Sequence, residues 1–249
     1  MDWVYDFYTK QEAWSGVATE DINDQHKEKA ASITEFVGED PKRVLELGAG
    51  GGQVAAVMAD LGHDVVAIEL TELRANHAKK LAEVPRTGTM TVIQDDFYTA
   101  DVGGPFDVVC YWDGFGIGTD ADQRRLLKRV ASWLTPEGSA LFDVGTPWYP
   151  AAQHGRGWTV GDAERQYTFD GDGCRWEDTW WPIGEPEKAV KQSTRSYSPA
   201  DLRLLVAPTG LVVKRIKPGG TMDWEQGKWL PSVPIGKAMF YVAEMGLVS

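Results

Sequence analysis

The stretch from Val44 to Gln53, VLELGAGGGQ, constrains this chain more than any other. Val44, Leu45 and Leu47, with one acid at Glu46, read as a buried parallel strand, which carries a near-continuous apolar run. Gly48, Gly50, Gly51 and Gly52 follow; glycines there permit positive φ and let a ligand come close to the backbone. Val54 to Leu61 then returns to helical periodicity. A strand, a glycine turn and a helix N-terminus in that order form a nucleotide-type site, because free N–H groups and the helix dipole face the turn.

The same alternation continues downstream. Val65 to Leu70 reads as a second strand ending in Glu69, after a helix closed by Gly62. Thr71 is placed to cap the next helix, which Pro85 stops. Met90 to Ile93 reads as a third strand running into Gln94, Asp95, Asp96 and Phe97. Phe106 to Trp112 reads as a fourth, ending in Asp113 and the loop GFGIG. Asp120 with Gln123 resembles a capping box for a helix to Leu134. Ser139 to Val144 makes a fifth strand after the turn TPEG. Short joins between strands and helices from Val44 to Val144 call for a doubly wound α/β sheet.

Two common cofactor turns do not fit. A dinucleotide turn, G-x-G-x-x-G, needs its third glycine where Gln53 stands, and the Gly-Lys-Ser/Thr end of a triphosphate loop is absent. What stands is E-x-G-x-G-x-G on Glu46, Gly48, Gly50 and Gly52, an acid two positions before the first glycine. That suits a ligand with an ammonium group and no phosphate.

These residues resemble the first motif of the class I S-adenosylmethionine-dependent methyltransferases, and the resemblance runs in order from about Lys42 to Val144. It implies a Rossmann-like fold with a seven-stranded, mostly parallel sheet and S-adenosylmethionine as cofactor. Glu46, Gly48, Ala49, Gly50 and Gly52 would form the turn. Glu69 matches the acid that accepts the ribose hydroxyls, and Leu70 the residue packing on adenine. Asp96 with Phe97 resembles the pair beside the adenine edge, with Asp95 the alternative if the register slips by one. The run DVVCYWDGFGIG and the following LLKRVASWLTPEGSALFDV resemble the later motifs, with TPEG a departure from a lysine-proline-glycine-glycine turn.

The flanking segments belong to the acceptor side. The first eighteen residues carry Trp3, Tyr5, Phe7, Tyr8 and Trp14 with little periodicity, either packed on the core or closing as a flap. As a flap they bring Tyr8 to the cofactor and Tyr5 to the acceptor. A helical stripe from Ile22 to Val37 follows, with Asp21 as its cap. Five of the eleven tryptophans fall between Thr146 and Ser196. There ERQYTFDG, CRWEDTWWP and KAVKQSTRSYS alternate as antiparallel strands, an insertion covering the carboxyl edge of the sheet. The expected division is residues 1–40 as flap and helix, 41–145 as cofactor-binding core, 146–197 as cover, and 198–249 as last helix and closing strands. Ser198 and Pro199 open that last helix.

Trp148, Trp180 and Trp181 are the cover residues nominated for the acceptor, against the plain alternative that aromatic side chains fill a small sheet. His154, in WYPAAQHG, is nominated as general base, with Asp113 and Tyr111 as alternatives. A net charge of -12 disfavours a nucleic-acid partner. The YWDGFG run also lacks the Asn/Asp-Pro-Pro-aromatic signature of amino-base methylases. The N-terminus lacks signal-peptide features and no run spans a bilayer, so a cytoplasmic protein without membrane partners is expected. Cys110 and Cys174 have no metal-ligand spacing, and no metal is expected. The function expected is methyl transfer to an N, O or C atom of a small molecule, such as those of secondary metabolism. Cyclisation or elimination on the same fold, and a binding module without catalysis, stand as alternatives.

Overall fold

The computed structural model describes residues 2–248. Strands β1 (Arg43–Leu47), β2 (Asp64–Glu69), β3 (Thr89–Gln94), β4 (Phe106–Phe115) and β5 (Leu134–Gly145) are joined by helices α4 (Gln53–Asp60), α5 (Glu72–Ala82) and α6 (Asp120–Trp133). Helices α1 (Asp2–Ser15), α2 (Asp24–Ala31) and α3 (Thr34–Val37) precede them. After β5 come α7 (Trp148–Ala152), β6 (Gly157–Val160), β7 (Ala163–Asp170), β8 (Arg175–Pro182) and β9 (Val190–Arg195). Helix α8 (Pro199–Val206) and β10 (Leu211–Pro218), β11 (Thr221–Asp223), β12 (Lys228–Leu230) and β13 (Phe240–Leu247) finish the chain.

The main sheet has seven strands in the order β10-β13-β5-β4-β1-β2-β3. β1 to β5 pair in parallel, and β13 runs antiparallel to both its neighbours. The doubly wound sheet expected from the apolar runs is thus present, with one reversed strand near its edge. β1 shows why: Val44, Leu45 and Leu47 are fully buried, with Leu45 and Leu47 in one core layer and Val44 in the other. Order reverses between β1 and β4, which puts a crevice at their carboxyl ends, where ligands bind in open α/β sheets.

The segment between β5 and α8 folds as a separate four-stranded antiparallel sheet in the order β6-β7-β8-β9. It bonds to the loop after β4 through the bridge Ile117–Thr194 and the Arg195 N–H to Gly116 carbonyl bond, so it stands over the crevice.

Several local expectations need correcting. Residues 2–15 are helical, not irregular, since a helix facing a cover sheet does not need a strict apolar stripe. Asn23, not Asp21, caps α2, accepting from the Gln25 and His26 N–H groups. The Thr71 hydroxyl turns back to Glu69 and makes no cap bond. The capping box of α6 is Thr119 with Asp122, one residue earlier than the pair nominated. That frees Gln123, which is buried and holds the 116–117 loop through the Gly116 N–H and Ile117 carbonyl. The WYPAAQHG run contains α7, and β4 continues past Asp113 to Phe115.

Candidate active site

The glycine turn is built as its sequence requires. Gly48, Gly50 and Gly52 all have positive φ, 59°, 57° and 82°. A Cβ on Gly52 would lie 2.6 Å from the Ala78 Cβ, so α5 packs against a position only glycine fills. Gly51 is constrained from outside: its Cβ would stand 1.8 Å from the Ala18 carbonyl oxygen. The Ala49 N–H is spent on the Ile68 carbonyl, tying the turn to β2.

Glu69 sits at the carboxyl end of β2, beside the turn. Its Oε2 accepts the Gly50 N–H at 3.0 Å, and its Oε1 accepts the N–H and hydroxyl of Thr71, both at 2.8 Å. A carboxylate offers about four lone-pair sites, so one remains for a ligand hydroxyl without displacing a bond.

A cavity of about 1250 Å³ lies over this end of the sheet. Gly48, Glu69, Leu70, Asp96, Phe97, Tyr111 and Tyr8 line it, bringing together most of the residues nominated for the nucleoside. Tyr111 fits between glycines, since a Cβ on Gly48 would stand 3.2 Å from its ring and one on Gly114 2.5 Å from its hydroxyl. Phe97 meets the Tyr111 ring edge-on at 5.5 Å. Burial pushes the Tyr111 phenol well up, so it stays protonated and cannot serve as a base near neutral pH.

Some nominated residues lie elsewhere. Glu46 is buried under the turn, on the α4 side of β1 and outside the cavity lining, because alternation places it opposite Leu45 and Leu47. Burial pushes its carboxyl up to about 8, so it is protonated at neutral pH and offers no charge to an ammonium group. Asp95 is exposed and outside the lining; it accepts the Asp96 N–H. His154 is exposed, its Nδ1 accepting the Phe169 N–H, and it does not reach the cavity. Tyr5 is exposed on α1. The Trp148 indole donates to the Ala238 carbonyl beneath the sheet edge. Trp181 points outward to Glu164, as its neighbour on β8, Trp180, points inward.

The other half of the cavity holds the nominated Trp180 and Asp113 together with Trp176, Asp178, Arg165, Lys29 and Asp143, which local sequence did not single out. Trp176, Asp178 and Trp180 alternate on the inner face of β8, a period of two already visible in RWEDTWWP. Arg165 on β7 makes a fork with Asp178 at 2.9 and 2.7 Å, and its guanidinium lies 4.6 Å from the Trp180 ring centre. Lys29 from α2 reaches Asp143 on β5 at 2.6 Å and lies over the Trp112 and Phe240 rings. Asp113, at φ 54°, turns its carboxylate into the cavity. Asp113 is exposed to the open cavity, and desolvation by the surrounding walls, with Asp143 nearby, pushes its carboxyl up to about 6. Among the described residues it makes no hydrogen bond or ion pair.

Helix α1 closes the cavity from above. Phe7 packs on Ala163 and Trp180 of the cover, and the Tyr8 hydroxyl accepts from Gln192 at 2.9 Å. On the other side Arg74 of α5 donates to Gln11 and lies 4.6 Å from the Tyr8 ring centre. Gln53, the residue that broke the dinucleotide pattern, donates to the Ala18 and Glu20 carbonyls and so ties the segment after α1 to the glycine turn. Among the described residues no group of three His, Cys, Asp or Glu side chains is placed to hold a metal, and no helix is long and apolar enough to cross a membrane.

Residues 44–138 match a family model described as "Methyltransferase domain". The fold is similar to the CcbJ methyltransferase of Streptomyces caelestis, with a TM-score of 0.73, 19% identity and 91% of each chain covered. An S-adenosylmethionine-dependent methyltransferase of Clostridium acetobutylicum aligns over 99% of this chain and 100% of its own, at TM-score 0.69 and 14% identity. The glycopeptide N-methyltransferase MtfA, solved with S-adenosylmethionine, aligns at TM-score 0.60 and 20% identity, covering 90% of this chain and 87% of its own. No curated protein matches the chain in sequence.

Proposed function

From a chain that carries an S-adenosylmethionine-dependent methyltransferase domain, we propose that it methylates a small molecule held in the roofed half of its cavity. The observation that carries this reading is one continuous space with two differently made ends. One end has the glycine turn, Glu69, Leu70, Asp96 and Phe97, suited to a nucleoside. The other has Trp112, Asp113, Trp176, Asp178 and Trp180 under a four-stranded cover. At about 1250 Å³ the space exceeds the roughly 300–1,000 Å³ of a single small-ligand pocket, leaving room for a second molecule. The net charge of -12 opposes nucleic acid.

The cofactor supplies a methyl group already activated on a positively charged sulfur. The protein's task is therefore to hold an acceptor atom in line at roughly 3–3.5 Å and to exclude water. Glu69 and Asp96 would hold the nucleoside, the Gly48 backbone would pass beside its sulfur end, and Tyr111 would pack beneath. Tyr8 and Arg74 on the roof side shut out solvent. Of the three groups nominated for proton removal, Asp113 is the one in reach with a suitable pKa. A cytoplasmic setting and an acceptor of secondary-metabolite size fit this reading.

Calorimetric titration with S-adenosylhomocysteine, followed by screening small amines, phenols and acids for S-adenosylhomocysteine release, tests the proposal. Micromolar binding and turnover of a small acceptor support it. Turnover of oligonucleotides or protein in preference to every small molecule would overturn it.

A further inference from the structure

Apart from Glu28, and from Glu35 and Lys217, which pair with each other, five charged side chains line the cavity away from the glycine turn: Lys29 on α2, Asp113 on β4, Asp143 on β5, and Arg165 and Asp178 on the cover. Two pairs are matched, Lys29 with Asp143 and Arg165 with Asp178. Asp113 is left over and, with Glu28 the other unpaired acid of that lining, leaves the wall with a net negative charge. Asp113 is exposed to the open cavity, but a ligand that fills the cavity strips its water; an unpartnered charge is then costly, and an anionic ligand would raise that cost. A neutral hydroxyl could give Asp113 one hydrogen bond but no counter-charge. A cation satisfies it.

A second atom points the same way. Asp143 is 7% exposed and lines the cavity, and while its Oδ2 takes Lys29, its Oδ1 is buried without a partner. An ammonium group has up to three N–H donors, enough for Asp113 and for an orphaned oxygen of this kind. The walls between are aromatic, from Trp112, Tyr167 and Trp176, and aromatic faces attract cations.

We infer that the acceptor is an amine that enters as its ammonium ion and is seated on Asp113. This rests on the methyl-transfer reading and names the substrate class for it. An ammonium nitrogen has no lone pair, so it must lose a proton before it can react. The proton passes from nitrogen to an Asp113 oxygen; the N–H bonding pair stays on nitrogen as the lone pair, and the carboxylate becomes a neutral carboxyl. Two opposite charges vanish together, which a deep site favours. Asp113 is both the seat and the base.

The test compares 2-phenylethylamine with 2-phenylethanol, binding each to the cofactor-free protein at pH 7.5 by ligand-observed NMR. Wild type and Asp113→Asn are used, with melting temperatures to confirm folding. The expected result is about tenfold tighter binding of the amine to wild type, in line with a charge-assisted bond. In Asp113→Asn that preference disappears, while S-adenosylhomocysteine affinity stays within about twofold. Equal binding of the two probes, binding of neither, or a preference that survives in Asp113→Asn overturns the inference. Loss of S-adenosylhomocysteine binding in a folded Asp113→Asn also overturns it, since the carboxylate then serves the cofactor's own ammonium group. Failure of the methyl-transfer reading is a separate result: wild type would not bind S-adenosylhomocysteine, whatever the two probes do.

Discussion

The Gly50 N–H donates to Glu69 Oε2 across 3.0 Å, so the glycine turn and the end of the next strand are one hydrogen-bonded unit. Loss of the Glu69 charge weakens both the turn and the ligand hydroxyl contact. Glu69→Gln is expected to lower S-adenosylhomocysteine affinity by about 10–100-fold, the worth of roughly 1.5–3 kcal/mol for a bond to a charged group. Titration calorimetry reads this directly. An affinity within twofold of wild type would remove Glu69 from the nucleoside site.

Glu46 gives a stability prediction with a definite sign. Its folded carboxyl is pushed up to about 8, mainly by burial, above the ordinary carboxylate range of an unfolded chain. The native state therefore holds the proton more tightly than the unfolded state. The stability from this group is fully present below about pH 4.5 and is lost as pH rises through about 8. Glu46→Gln keeps the shape and removes the charge. Denaturant melts from pH 5 to 9 should show wild type losing on the order of a few kcal/mol relative to the variant. Parallel curves would show that Glu46 does not titrate in this range.

Gly51→Ala tests the tie between the turn and the segment after α1. The added Cβ would fall 1.8 Å from the Ala18 carbonyl oxygen, so residues 17–20 must lift and the two Gln53 bonds go with them. Two such bonds are worth about 1–3 kcal/mol together. Limited proteolysis should cut near residues 15–20 at least about fivefold faster than in wild type. Unchanged protection would mean that the Gln53 bonds do not hold this segment in place.

Trp180 and Trp181 are adjacent but face opposite ways. Trp180→Ala opens a void beside Phe7 and Ala163 and should cost about 3–5 kcal/mol. Its loss also frees Arg165 from one ring face and the Asp178 oxygen that the indole holds at 2.9 Å. Trp181→Ala removes a half-buried outer residue bonded to Glu164 and should cost about 1 kcal/mol or less. Chemical denaturation of the two variants checks the contrast; equal losses would mean that the cover sheet lacks the inner and outer faces described.

The sheet was legible because buried parallel strands are written as apolar runs and glycine turns punctuate them. That Gly48, Glu69 and Asp96 would meet was legible too, since each stands at or within two residues of a strand's carboxyl end and all three line one cavity. Glu46 misled because its place in the motif suggested a contact, whereas strand alternation turns it into the layer beneath. The acceptor end was mostly illegible: Lys29 meets Asp143 from 114 residues away, and Gln192 meets Tyr8 from 184. No local pattern encodes such pairs. Yet the inward set Trp176, Asp178 and Trp180 follows from period two in RWEDTWWP, which already separates Trp180 from Trp181. His154 fell in a segment expected to be loop, and α7 carries that segment away from the cavity.

Phe7 packs on Ala163 and Trp180, Tyr8 holds Gln192, and the Asp162 N–H donates to the Trp14 carbonyl. The first helix and the cover sheet are thus two pieces of one part, separated in the chain by the whole matched domain. A graft of residues 146–197 from another enzyme would leave Phe7 and Tyr8 facing strangers. The roof of the cavity is exchanged as a pair of segments or not at all.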